Sequence, residues 1–135
     1  MKIFFSVLFL LFSFSAKATV SCQQADGNEF TGRDRVSHYC IGPRYMNWWS
    51  AYAWCDSIGG ELFDIADCQL ASNNSDYCPQ LQGASQVYLH GDYLWTKHSG
   101  QDGKAIKFQM VDNHVGFIHV VEKAEKRGRP FCKIQ

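Results

Sequence analysis

No stretch of this 135-residue chain is long and apolar enough to read as a membrane span. Its longest apolar run, Ile3–Phe14, is about a dozen residues broken by Ser6 and Ser13, whereas a spanning helix needs ~20. Neither sign of charge is in excess, since 13 Lys and Arg face 13 Asp and Glu. The large basic field that nucleic acid or anionic lipid requires is therefore missing. No cysteine pair has the C-x-x-C spacing, which excludes zinc-ribbon and thioredoxin-like sites. Gly-x-Ser-x-Gly, His-Glu-x-x-His and phosphate-cradling loops are absent too, so the common hydrolase and nucleotide signatures fail. There is no internal repeat and no interdomain linker.

The N-terminus reads as a secretory signal. Lys2 precedes the apolar run, and Ala16-Lys17-Ala18 places small residues at −3 and −1 of a cleavage site. Cleavage after Ala18 leaves residues 19–135 as a single domain with 11 basic and 13 acidic residues. All six cysteines (Cys22, Cys40, Cys55, Cys68, Cys78 and Cys132) lie in that mature part. An even count in a small exported chain predicts three disulfides in an oxidising compartment, whether extracellular, periplasmic or at the cell surface. Spacing alone leaves 15 pairings open. A lipoprotein reading of Cys22 meets Thr19 at −3, where Leu is usual.

Local patterns predict an α+β order. Residues 19–37 are polar, with few apolar anchors, and read as an irregular arm. Tyr39-Cys40-Ile41 reads as a short strand before the Gly42-Pro43 breaker. Asn47 is a good N-cap for a helix whose inward stripe is Trp48, Ala51, Tyr52, Cys55 and Ile58, and Gly59-Gly60 stops it. Asp64 caps a second short helix over Ile65–Ala71. Ser72–Ser85 is polar loop chemistry. Strands follow at Val87–Leu89, Tyr93–Thr96, Ala105–Val111, Val115–Val121 and Pro130–Ile134. Asp112-Asn113 reads as a hairpin turn.

The pattern Trp48-x-x-Ala51-x-x-x-Cys55-x-x-x-Gly59-Gly60-x-Leu62 resembles the first helix and following turn of C-type lectin-like domains. Tyr88-Leu89-His90-Gly91, Leu94-Trp95-Thr96, Ala105–Phe108 and Phe131–Ile134 resemble that family's later strands, so the likeness covers about residues 38–134. The short ending is similar to compact versions of the fold at the tips of bacterial adhesins. The resemblance implies two helices packed on short antiparallel sheets, with the helix joined to the last strand through Cys55–Cys132. Closing that loop of about 77 residues stabilises the fold by ~4 kcal/mol in the chain-entropy model. Cys68–Cys78 then pinches the polar loop and Cys22–Cys40 staples the N-terminal arm.

The family's calcium-bridged sugar site needs a Glu/Gln-Pro-Asn/Asp loop and a Trp-Asn-Asp strand. Pro79 stands between Cys78 and Gln80, and Val111 precedes Asp112-Asn113, so both motifs are missing. No metal and no cofactor is expected. Of the five histidines, His98 and His114 fall at predicted turns and read as solvated, while His90 follows an apolar strand and faces a cleft. Trp48, Trp54 and Trp95 read as core. Aromatics on more than one helical face leave Trp49 as the exposed anchor. The fold usually presents ligands on the loop after the second helix, here carrying Asn73, Asn74, Asp76, Tyr77, Gln80 and Gln82. Asn73-Asn74-Ser75 is also a glycosylation acceptor in a eukaryotic source.

The expectation is a secreted module that binds rather than catalyses. Its partner would be a protein or glycan on a cell surface, and it would act as a soluble factor or as a subunit of a surface assembly. Its rivals are a calcium-independent lectin, a small exported hydrolase with a His and a carboxylate in a cleft, and an inhibitor that plugs a partner's site.

Overall fold

The structure is a computed structural model that describes residues 20–70, 76–78, 81, 92–111 and 114–135. The α+β plan is the observed one. Strands β1 (Asn28–Thr31) and β2 (His38–Ile41) precede the helix α1 (Trp48–Ser57) and β3 (Gly60–Leu62). The short strands β4 (Gln69–Leu70) and β5 (Asp76–Tyr77) follow. Then come β6 (Tyr93–Ser99), β7 (Lys104–Val111), β8 (His114–Glu122) and β9 (Phe131–Ile134). One antiparallel sheet has the order β1-β2-β9-β3, which sets the last strand between the first strands and the one after the helix. The other has the order β4-β5-β8-β7-β6.

The sheets are stitched where β6 runs past the first sheet. Lys97 N–H donates to the Phe63 carbonyl at 2.9 Å and Trp95 N–H to the Arg129 carbonyl at 3.0 Å. Two buried clusters result. Tyr39, Phe63, Phe108 and Phe131 form an aromatic stack, with the Phe63 and Phe131 centroids 4.7 Å apart. Under the helix, Trp48, Ala51, Cys55, Ile58, Leu62 and Trp95 pack together. The indoles there are buried with their N–H groups satisfied, as buried donors require. Trp48 Nε1 donates to the Thr96 carbonyl at 2.9 Å and Trp95 Nε1 to the Met46 carbonyl at 2.8 Å. Position 128 has to be glycine, because a Cβ there would lie 2.5 Å from Trp95 Nε1.

All three disulfides pair as expected: Cys22–Cys40, Cys55–Cys132 and Cys68–Cys78. The helix begins at its Asn47 cap, whose side chain accepts from Ser50 N at 2.9 Å, and ends at Gly59 with φ +75°.

Several expectations need correction. The N-terminal arm is not wholly irregular, because β1 pairs along β2 and buries Phe30 in the aromatic stack. A four-residue strand with one inward apolar side chain carries too little periodicity to stand out. The second helix is a single 3-10 turn, Ile65–Asp67, and the chain beyond it turns into β4. Asp64 is its cap as expected. Within the polar loop, Asp76–Tyr77 is strand, paired to β4 and β8. Tyr52 was placed on the inward stripe but is exposed, and Trp54 is only partly buried. His98 and His114 lie in β6 and β8 rather than in turns. The predicted strand Val87–Leu89 and the turn Asp112-Asn113 lie outside the described residues.

Candidate functional site

Helix α1 buries Trp48, Ala51 and Cys55, at steps of three and four, and this fixes which residues must face out. The outward stripe is Trp49, Tyr52, Ala53 and Asp56. Trp49 is 52% exposed and Tyr52 55%, a large aromatic surface for adjacent turns of one helix. Two contacts steady these rings. Tyr52 leans on Trp48, with centroids 5.4 Å apart. The Lys123 ammonium sits 4.6 Å from the Trp48 ring and 6.0 Å from the Trp49 ring, within cation–π range.

Tyr52 also forms one lip of a groove of about 710 Å³ between the C-terminal half of α1, β3 and β6. Asp56, Glu61 and Lys97 supply its charge, and Gly59 and Gly60 line it beside them. Lys97 is bound at the groove's edge, its ammonium 3.1 Å from Asp64 Oδ2, and that hydrogen bond raises its pKa. Exposed aromatic faces beside carboxylates and one tethered cation can stack on a partner and hydrogen-bond its donors.

Of the residues expected to bind ligand, Trp49 stands on this stripe. Asp76 and Tyr77 form β5, next to the Cys68–Cys78 bridge and away from α1 in the strand order. Asn73, Asn74, Gln80, Gln82 and His90 lie outside the described residues. Tyr52 was missed as a partner of Trp49, although their i, i+3 spacing puts them on one face. Glu61 and Lys97 come from other elements and carried no local signal.

A catalytic reading finds His98 Nε2 at 2.7 Å from Asp64 Oδ1, while His38 Nδ1 stands 4.0 Å from Glu29 Oε1, beyond hydrogen-bond reach. The Asp64 carboxylate also holds Lys97 and the Ala66 amide. Among the described residues the His98 backbone N–H donates to the Thr96 hydroxyl at 3.3 Å but no hydroxyl or thiol is hydrogen-bonded to its ring, so the pair ties β6 to the 3-10 turn. No group of three or more His, Cys, Asp or Glu that could hold a metal ion occurs among the described residues. No helix among them is long and apolar enough to cross a membrane.

The chain path is similar to that of botrocetin, a snake C-type lectin-like protein. The likeness covers 82% of this chain and 96% of that one, at 14% sequence identity and a TM-score of 0.49. No protein-family model matches the chain, and no curated protein matches it. At that identity the likeness to botrocetin concerns the fold, and the roles given to residues below rest on this chain's own geometry.

Proposed function

We propose that this chain is an exported binding module of the C-type lectin-like kind that docks a protein or glycan on a cell surface without a calcium-bridged sugar. The observation that carries this reading is the outward stripe of α1, where Trp49 and Tyr52 stand more than half exposed and Tyr52 forms a lip of the groove. Burying two such rings is costly to forgo and needs no metal, which fits a chain lacking both calcium motifs. Export rests on the signal-like residues 1–18 and on six cysteines paired as three disulfides.

The test is saturable binding of the fluorescently labelled chain to a panel of animal and bacterial cells, with and without chelator. Binding should be indifferent to chelator, and Trp49→Ala with Tyr52→Ala should weaken it about tenfold or more, as truncation of aromatic hot spots does. Equal binding by the double variant, or binding abolished by chelator, would refute the reading.

A further inference from the structure

A second site lies at the other end of the helix and shares no lining residue with the groove. The basic segment after β8 folds back across the start of α1. Trp48 N–H donates to the Lys123 carbonyl, Met46 N–H to the Gly128 carbonyl and Arg129 N–H to the Tyr93 carbonyl, each at 2.9 Å. This path brings Lys126 and Arg127 beside Tyr45 and Tyr93, and the four residues line a cavity of about 300 Å³.

The two rings are held in place before any ligand arrives. Tyr45 donates its hydroxyl to Asp92 Oδ1 at 2.9 Å. Tyr93 has the buried Lys107 ammonium 4.5 Å from its ring centroid and the His119 ring edge-on at 5.5 Å. The nearby carboxylates Asp92 and Glu125 each hold a cation, although Glu125 Oε2 is buried without a hydrogen-bond partner among the described residues. Asp92 Oδ2 takes Arg129 Nη1 at 2.6 Å, and Glu125 Oε1 takes Lys107 Nζ at 3.1 Å. Lys126 and Arg127 are exposed and form no ion pair among the described residues. Two preorganised aromatic faces thus border two positive charges that no carboxylate among the described residues pairs with.

We infer that this cavity binds one acidic sugar unit at the end of a glycan, with its carboxylate on Arg127 and Lys126 and its C–H face against a tyrosine ring. The parts match in chemistry. A guanidinium accepts a planar carboxylate in fork geometry, and aromatic faces pack on the apolar side of a sugar ring. A cavity of about 300 Å³ is at the small end for ligand sites and suits a single ring. In the sequence Glu122 and Glu125 interleave with Lys123, Lys126, Arg127 and Arg129 and dilute their charge. In the fold Glu125 turns to Lys107, and Lys126 and Arg127 have no ion-pair partner among the described residues.

The test titrates the full chain, followed by NMR, with methyl glucuronide and methyl glucoside, which differ only in the carboxylate, and with sialyllactose and lactose. At least one acidic probe should bind about tenfold or more tightly than its neutral counterpart, shift the Tyr45 and Tyr93 ring resonances, and weaken with added salt. Lys126→Gln with Arg127→Gln should remove that preference, whereas Arg35→Gln with Lys104→Gln, an equal loss of two charges on exposed side chains outside the cavity, should keep it. Both altered side chains in the double variant are exposed, so its thermal melt should match the parent's and separate lost binding from lost folding. Neutral sugars bound as well as acidic ones, no binding of either acidic probe, or tighter binding of an acidic peptide would each overturn the inference. This readout follows the tyrosine pocket directly, so its failure is distinct from a failure of the helix stripe in the cell assay.

Discussion

Asp64 performs three tasks with one carboxylate. It caps the 3-10 turn through the Ala66 amide at 2.9 Å, pairs with Lys97 at 3.1 Å and holds His98 at 2.7 Å. Partial burial acts to raise its pKa, but the hydrogen bonds from Ala66, Lys97 and His98 together outweigh it and hold the pKa at about 2, below the ordinary 3.8. A carboxyl depressed in the folded state contributes stability above its unfolded pKa, and that contribution fades as pH falls from about 4 through about 2. Asp64→Asn should therefore cost about 1–2 kcal/mol at pH 6. In thermal melts, the gap between this variant and the parent should shrink by more than half by pH 2. An undiminished gap would assign the cost to capping instead. The capping role was legible from Asp64 itself, since Asp before a short helical segment is a known start signal. Its partners were not, because Lys97 and His98 stand more than thirty residues away on another strand.

Helix α1 shows how far periodicity reaches. The cap at Asn47, the inward Trp48, Ala51 and Cys55 and the stop at Gly59 all follow from spacing and backbone preference. Tyr52 did not follow, because the apolar stripe of this helix is narrow and an aromatic at its margin fits either side. Removing the cap bond in Asn47→Ala should cost about 1 kcal/mol, read as a lower urea midpoint with an unchanged slope. A changed slope would mean that the variant alters more than the helix end. Strand β7 marks the opposite limit. Lys107 is 4% exposed and supports the Tyr93 ring, yet a lysine in a strand reads as solvent-facing. Its burial depends on Glu125 and the Arg127 carbonyl, which arrive from the segment after β8.

Three disulfides and two sheets hold the ends of the chain together. Cys55–Cys132 spans 77 residues and joins α1 to the central strand of the first sheet, whereas Cys22–Cys40 spans 18. Loop-closure entropy puts the longer link at about 4.5 kcal/mol and the shorter at about 3 kcal/mol. Replacing Cys55 and Cys132 together by Ala should lower the melting temperature more than replacing Cys22 and Cys40. The reverse order would show that packing of the N-terminal arm, rather than chain entropy, dominates.

The cysteine count, the helix with its caps, the paired strands of the second half and the α+β class were readable in advance. Each rests on neighbours within about one helical turn or one strand, or on a family pattern carried by such neighbours. The short strand β1, the shrinking of the second helix to one turn and the places of His98 and His114 were not, since weak local preferences there yield to pairing and packing. The same holds for the pocket. Tyr45, Tyr93 and the Lys126-Arg127 pair come from three separate segments. What joins them is a set of backbone hydrogen bonds between distant strands, and a charge becomes unpaired or satisfied only once the fold has chosen its neighbours.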